Sequence, residues 1–372
     1  MRFTIERSVL AKALNHVQGV VERRNTIPIL SNILLHAEGG ELRLTATDLD
    51  IEIVETAPAE IAQGGSTTVP AHMMYDIVRK LPEGSQLEIE QGPDQSQLTV
   101  RSGRSQFALQ VLPESEFPDL SGGDMSHRFQ LPASVLKRMI EKTRFAISTE
   151  ETRYYLNGIY FHQVKDGGDG LLRAVATDGH RLAQVQFPLP DGADGLPGVI
   201  IPRKAVLELH KLLEDEGSSV DIALSQTKIR FETGTVVLTS KLIDSTFPDY
   251  ERVIPKDNDK VLEVDAATFA HAVDRVSTIS SEKGRAVKLS MENDQLTLSV
   301  NNPDSGSAEE SLPVSYQAEP LEIGFNAKYL LDVAAQLNDG DVRFIMADAG
   351  SPSVVREIGD DTALYVLMPM RV

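Results

Sequence analysis

Three tandem copies of one alpha+beta unit are predicted by a word that recurs three times, by landmarks that follow it in the same order each time, and by a length of 372 residues, more than one hydrophobic core usually serves. The first copy reads FTIERSVLAKALNHV from Phe3, the second FQLPASVLKRMIEKT from Phe129, and the third LEVDAATFAHAVDRV from Leu262. In each, strand-like alternation gives way to apolar residues at helical spacing.

A second helix follows in every copy. Thr68-Val69-Pro70 precedes AHMMYDIVRKL, Ile200-Ile201-Pro202 precedes RKAVLELHKLL, and Ile323-Gly324-Phe325 precedes NAKYLLDVAAQL. The two prolines sit at helix starts, where a missing N–H costs nothing. The helices are expected at 8–19, 71–81, 132–144, 202–213, 266–278 and 326–337. Short alternating runs with turn residues between them follow, in the first copy LLHAE, ELRLTAT and IEIVE after one helix and QLEIE, QLTVR and FALQV after the next. Each unit is therefore itself a pair of strand, helix and three-strand modules, with sheets on one side and each helix burying one stripe on its own sheet.

Units one and two close on Phe117-Pro118-Asp119-Leu120 and Phe247-Pro248-Asp249-Tyr250. The polar stretches 121–127 and 255–260 read as connectors, so the domains are set at 1–121, 128–253 and 260–372.

Composition narrows the function. Hydrophobic residues make up 41% and charged residues 24%, enough apolar content for packed cores. With no cysteine, disulfides, thiolate zinc sites and cysteine nucleophiles are excluded. Met1–Glu6 lacks the apolar core of a signal peptide and no run of about eighteen apolar residues occurs, so a cytoplasmic location is expected. There is no phosphate-cradling glycine loop, no zinc-protease histidine pair and no metal-type His and carboxylate spacing, so no cofactor or metal is expected.

A net charge of −19 argues against broad adhesion to nucleic acid or anionic membrane, yet the six helices carry 12 basic residues against 5 acidic. On helix 132–144 the stripe Val135, Leu136, Met139 and Ile140 places Lys137, Arg138 and Lys142 on or beside the outward face. Such a face either is simply solvated or meets phosphates weakly and with strong salt dependence.

The sharpest local word is Ala176-Thr177-Asp178-Gly179-His180-Arg181-Leu182. It fits a turn in which the aspartate bonds nearby N–H groups and the glycine takes a positive φ; it also fits a binding element or an acid–base site. Catalysis is disfavoured because no second carboxylate or nucleophile converges, and because Thr45-Ala46-Thr47-Asp48-Leu49-Asp50 fills the same slot in unit one without the histidine. The apolar end Val366-Leu367-Met368-Pro369-Met370 must dock, as a last strand, as an adaptable rim for apolar peptide side chains, or as both.

At these words, and at Thr26-Ile27-Pro28-Ile29-Leu30, Arg101-Ser102-Gly103-Arg104-Ser105, Arg153-Tyr154-Tyr155-Leu156-Asn157-Gly158 and Thr239-Ser240-Lys241-Leu242, the sequence closely resembles the bacterial DNA polymerase III beta subunit, or sliding clamp, family from end to end. The resemblance implies a non-catalytic processivity factor in DNA replication. It would be a head-to-tail homodimeric ring, with helices lining a channel around duplex DNA and sheets forming the outer rim. The expected partners are a second copy of the chain, encircled duplex DNA, the polymerase III alpha subunit, the clamp loader, and other polymerases and repair proteins carrying clamp-binding motifs.

By position, the resemblance implies a peptide pocket formed by Leu156, Thr177, Gly179, His180, Arg181, Leu182, Pro248, Arg252, Val253, Asn326, Tyr329, Val366, Met368, Pro369, Met370 and Arg371. It implies a ring joint between Arg101, Arg104, Phe107 and Leu109 on one subunit and Ile279, Glu309 and Glu310 on the other. The implied DNA-facing positions are Arg24, Tyr154, Tyr155 and Lys204. Three residues depart from the pattern: His72 and Met73 stand where the family commonly places basic residues, and Glu150 lies in a loop expected near DNA. The acidic run at the joint is thin, with Asp304 and the Glu309-Glu310 pair.

Overall fold

A computed structural model of the chain describes residues 1–92, 95–120, 122–166, 169–214, 217–280, 285–337 and 340–372. Ser121 of the expected 121–127 connector lies outside the described residues.

The module order runs as expected. In the first repeat, strand Arg2–Glu6 leads into α1 (Arg7–Gln18) and strands Asn32–Glu38, Glu41–Thr47 and Ile51–Pro58. Strand Gly65–Pro70 then leads into α2 (Ala71–Lys80) and strands Gln86–Gln91, Gln97–Ser102 and Ser105–Gln110. The second repeat follows with His127–Pro132, α3 (Ala133–Arg144), Gly158–Asp166, Asp169–Thr177 and Arg181–Pro188, then Val199–Pro202, α4 (Arg203–Leu212), Ser219–Leu224, Lys228–Thr233 and Val236–Lys241. The third has Lys260–Asp265, α5 (Ala266–Ser277), Ala286–Glu292, Gln295–Asn302 and Gly306–Pro313, then Leu321–Asn326, α6 (Ala327–Ala334), Asp341–Met346, Ser353–Glu357 and Ala363–Leu367.

Local chemistry sets the helix boundaries. The Asp265 carboxylate accepts from the Thr268 amide at 2.7 Å, and the Asn326 side chain accepts from the Lys328 amide at 2.9 Å, satisfying orphan donors at the starts of α5 and α6. Burial of Leu10, Leu14 and Val17 fixes the inner face of α1. Each such side chain contributes roughly 1.5–3 kcal/mol.

One feature of the sheets departs from the expectation that each module keeps its own. The leading strand of every module pairs with the three strands of its sister module. Arg2–Glu6 joins Gln86–Gln91 and Gly65–Pro70 joins Asn32–Glu38; the same exchange holds for His127–Pro132 with Ser219–Leu224 and Val199–Pro202 with Gly158–Asp166. It holds again for Lys260–Asp265 with Asp341–Met346 and Leu321–Asn326 with Ala286–Glu292. Period-two alternation specifies which face of a strand is buried but not which neighbour it meets, so both arrangements satisfy the same sequence.

Repeats also fuse edge to edge. Strand Val236–Lys241 pairs antiparallel with Ile51–Pro58, making an eight-stranded sheet. Strand Arg181–Pro188 pairs antiparallel with Ala363–Leu367, making a nine-stranded sheet that includes the short strand Ser315–Tyr316. The chain consequently divides into two compact units that cut across the repeats: one holds 1–137, 190–193 and 204–242, the other 138–189, 194–203 and 243–372. The first contains the eight-stranded sheet and a five-stranded sheet ending at Ser105–Gln110; the second contains the nine-stranded sheet and a four-stranded sheet ending at Gly306–Pro313.

The basic face expected on α3 is largely occupied. Lys142 is buried, its ammonium donating to the Gln336 carbonyl and lying 3.6 Å from the Glu357 carboxylate, and Arg138 donates to Asp360 at 2.6 Å. Burial pushes the Lys142 ammonium down, and the neighbouring Arg138 charge adds to this. Placing Lys142 on an outward face is therefore corrected: the residues that cover it lie far along the chain, beyond the reach of a local helical pattern.

Candidate peptide-docking site and sheet edges

The second unit gathers most of the expected pocket residues. Asp178 builds the turn at their centre: its Oδ1 accepts from the His180 amide at 2.9 Å and the Arg181 amide at 3.1 Å. Thr177 Oγ1 donates to the Arg181 carbonyl at 2.7 Å and accepts from the Gly179 amide at 3.1 Å. Gly179 takes φ +88°, where glycine meets no steric cost, and an added Cβ would lie 2.6 Å from Arg153 Nη1, the far end of a flexible side chain that would have to shift. The Arg153 guanidinium occupies that space by donating to the Asp178 carbonyl at 3.1 Å.

Arg181 is 7% exposed. Its Nε donates to Asp178 at 3.1 Å, Nη1 to Asp332 at 2.5 Å and Nη2 to the Phe145 carbonyl at 2.6 Å. The guanidinium also lies over the Tyr329 ring, 4.4 Å from its centroid. Arg181 thus acts as a strut that ties α6 to the turn and holds Tyr329 near the exposed His180, whose ring stacks 6.4 Å from that of Tyr329 at 25°.

The floor is apolar. Leu156, Val175, Leu182, Ile200, Phe247, Tyr250, Leu364 and Val366 form one buried cluster, with Tyr155, Tyr160, Ile243 and Ile254 packed against it. Sequence reading missed Phe247 and Tyr250 as floor residues, although the Phe-Pro-Asp-Tyr word was noticed as a boundary; an apolar word closing a repeat is also what a covering segment requires. Beside the floor, His162 stacks on Tyr160 at 4.4 Å and shares a 3.0 Å hydrogen bond with the Tyr250 hydroxyl. Burial pushes the His162 imidazole down to about 4.

The chain end forms the rim. The Met368 amide donates to the His180 carbonyl at 2.9 Å, and the Met370 amide donates to the Gly324 carbonyl at 2.7 Å. Gly324 permits this approach, since a Cβ there would lie 2.6 Å from the Met370 carbonyl oxygen. Met368 is 40% and Val253 50% exposed, unusual for residues flanking an apolar floor. Pro369 is half-buried, and Arg371 and Pro248 are exposed. The exposed Arg252 bonds Asp249 at 2.6 Å, while Asn326 is engaged as the α6 cap.

The expected DNA-facing residues differ in exposure and in how far they are engaged. Arg24 is exposed and Tyr154 is 55% exposed, whereas Tyr155 packs against the apolar floor. Lys204 donates to the Val20 carbonyl at 2.8 Å, to Asp48 at 2.6 Å and to Glu22. Burial alone would lower its pKa, but the Asp48 and Glu22 carboxylates prevail and raise it. His72 is engaged by Gln18 and the Val21 carbonyl, Met73 is 54% exposed, and Glu150 pairs with Arg153 at 3.1 Å.

The expected joint residues lie on or beside the two terminal sheet edges. Strand Ser105–Gln110 carries half-buried Phe107 and buried Leu109; Arg101 donates to Glu90 at 3.0 Å and Gln106 at 3.2 Å, and Arg104 is exposed. On strand Gly306–Pro313, Glu309 is exposed and Glu310 receives Arg275 at 2.5 and 3.0 Å. That bond holds the Glu310 carboxyl below its usual range. The Ile279 carbonyl accepts from Asn302 at 2.9 Å, and the Asp304 amide donates to the Asn302 side chain at 3.0 Å. Among the described residues each of these two edge strands pairs on one side only.

No helix among the described residues is long and apolar enough to cross a membrane, and no group of three or more His, Asp or Glu among them could hold a metal ion. Comparison with known proteins supplies the family. The model of the DNA polymerase III beta subunit N-terminal domain matches residues 1–121, that of the central domain 130–249, and that of the C-terminal domain 251–371. The Beta sliding clamp of Caulobacter vibrioides (strain NA1000 / CB15N) is 55% identical over 372 residues and that of Escherichia coli (strain K12) 41% over 374, each match covering 100% of both chains. A solved DnaN sliding clamp from Bartonella birtlesii bound to griselimycin is 56% identical with a TM-score of 0.97, again over 100% of both chains. With family models spanning all three repeats and relatives matching from end to end, this chain belongs to the DNA polymerase III beta subunit, or beta sliding clamp, family.

Proposed function

We propose that the chain is a non-catalytic processivity factor, two copies of which close head to tail into a ring around duplex DNA and tether the replicative polymerase. The observation that carries this reading is the way repeats join. Both seams within the chain are antiparallel strand pairs, Val236–Lys241 with Ile51–Pro58 and Arg181–Pro188 with Ala363–Leu367. The same kind of seam between copies would join two further edge strands, Ser105–Gln110 of one and Gly306–Pro313 of the other, each of which pairs on one side only among the described residues. Exposed edges of this length are otherwise an aggregation hazard. A head-to-tail contact of this kind is heterologous, and closes when the rotation it imposes closes.

Arg101, Arg104, Phe107 and Leu109 form one side of that joint, and Ile279, Glu309 and Glu310 the other. Enclosure removes the need for tight adhesion, which suits an acidic chain whose Lys204 and Lys142 are engaged internally. Arg24 and Tyr154 remain as DNA-facing candidates. The clamp acts in the cytoplasm. The Leu182, Val253, Val366 and Met368 pocket receives short apolar segments of the polymerase III alpha subunit, the clamp loader, and other polymerases and repair proteins.

Light scattering tests the joint: wild-type protein is expected as a dimer at micromolar concentration and Leu109→Asp as a monomer. A wild-type monomer contradicts the reading. Deleting residues 368–372 is expected to abolish binding of polymerase-derived peptides and leave the dimer intact; unaltered peptide affinity contradicts the pocket.

A further inference from the structure

A cavity of about 260 Å³ lies on the same sheet face as the apolar floor of the pocket, one to two rows further along. Register fixes this continuity. Leu182 faces Val366 across the seam, and the next pair on that face is Gln184 with Leu364. On the adjoining strand, Thr177 pairs with Leu182, Val175 with Gln184 and Arg173 with Gln186. Successive residues on one face are about 6.8 Å apart along a strand. Leu364 belongs both to the floor and to the cavity wall, and the turn Tyr250–Val253 contributes Tyr250 to the floor and Glu251 to the cavity wall.

The cavity is chemically unlike the floor. Lys256 and Arg356 line it, and neither side chain has a hydrogen-bond or ion-pair partner among the described residues. Arg173 is committed, donating to Tyr250, Glu251 and Gln186. The exposed Asp361 is the wall's other acid beside Glu251. Gln184 is 5% exposed, and its Oε1 has no hydrogen-bond partner. A buried acceptor without a donor costs about 1–3 kcal/mol.

Two free cations beside an unpaired acceptor select a ligand that brings a carboxylate and an N–H together. A free anion satisfies only the cations. We propose that this cavity receives an acidic residue flanking the apolar anchor of a docked peptide, its carboxylate between Lys256 and Arg356 and a backbone N–H on Gln184. The inference rests on the peptide-pocket reading and adds to it a specificity for acidic flanks.

The test uses full-length protein and dye-labelled peptides sharing a Leu-Phe anchor, with Glu-Glu or Gln-Gln placed in turn at either end. For one of the two ends, the Glu form is expected to bind about fivefold more tightly than the Gln form at low salt. In the Lys256→Gln/Arg356→Gln double variant that advantage disappears while affinity for the Gln form is unchanged. Excess free glutamate leaves the labelled peptide bound. Equal affinities of the Glu and Gln forms at both ends, an advantage that survives the double substitution, or displacement by free glutamate each overturn the proposal. If deleting 368–372 leaves the Gln peptide bound as before, the pocket reading itself fails, an outcome distinct from the others.

Discussion

The turn Thr47–Ile51 in the first unit and the turn Thr177–Arg181 in the second are one structure built twice. Thr47 Oγ1 donates to the Ile51 carbonyl at 2.8 Å as Thr177 does to Arg181 at 2.7 Å; Asp48 Oδ1 accepts from the Asp50 and Ile51 amides at 2.9 and 2.8 Å as Asp178 does from His180 and Arg181. Leu49 adopts φ +79° where Gly179 has +88°. Even the strand that completes each seam signs off alike, with the Lys241 amide donating to the Asp50 carbonyl at 2.8 Å and the Met368 amide to the His180 carbonyl at 2.9 Å.

What differs is the side chains laid on this scaffold. In the first unit the turn is dressed with ions: Lys204 on Asp48 and Lys241 on Asp50 at 3.1 Å. In the second, Arg181 is drawn inward, Leu182 and Val366 are buried in the apolar cluster, and Met368, whose amide bonds the His180 carbonyl, is exposed. A repeated backbone therefore supplies the same turn twice, and a handful of substitutions decides whether ion pairs or apolar side chains surround it. Arg181 shows this most clearly, because its counterpart Ile51 is simply buried.

The comparison is broken most severely at Arg181. Arg181→Ala removes the one guanidinium that joins Asp178, Asp332 and the Phe145 carbonyl, leaving Asp332 only its Lys328 contact at 2.8 Å, and is expected to destabilise the protein by about 3–5 kcal/mol. Thermal unfolding checks this, and a loss below about 1 kcal/mol contradicts the strut role.

Next in size is a pH effect confined to the second unit. His162 titrates near 4 when folded against an ordinary value of 6.5, so the unfolded chain binds more protons between those values. Stability from this group is fully present above about pH 6.5 and is lost as pH falls toward 4, by up to about 3 kcal/mol. His162→Gln is expected to flatten denaturant midpoints measured across that window; an unchanged slope contradicts the assignment.

The two turns should respond oppositely to the same kind of change. Gly179→Ala is expected to cost about 1–2 kcal/mol because it meets Arg153 in a left-handed conformation, whereas Leu49→Gly relieves strain and is neutral or stabilising by up to about 1 kcal/mol. Matching destabilisation at both positions, read by chemical denaturation, would show that the turns are not equivalent. The smallest effect is expected at Lys204: Lys204→Gln should cost about 1 kcal/mol of stability while leaving the salt dependence of DNA association unchanged. A shallower salt slope would make Lys204 a phosphate contact instead.

Much of this was legible in the sequence because it is local. The alternation of Glu41–Thr47 and the stripes of α1 to α5 place their elements within a residue or two, and the aspartate and glycine of the Thr177–Arg181 word specify its turn. The last helix, expected to 337, ends at Ala334, with Gln336 and Leu337 continuing as turns rather than helix. What stayed hidden is non-local. Nothing in Phe3 or Ile5 says that their strand joins Gln86–Gln91, and nothing near Lys142 announces Gln336 or Glu357. Arg181 is similar: the resemblance put it in the expected pocket, and its burial depends on partners the local word does not name, the Phe145 carbonyl and Asp332, the latter 151 residues away.

The claim on which the rest depends is that the grip on DNA is topological. Protein loaded with its clamp loader onto a nicked circular plasmid should stay bound while the circle is intact and be released when a restriction enzyme linearises it. Retention that is unchanged after cutting would mean ordinary affinity and would contradict a closed ring.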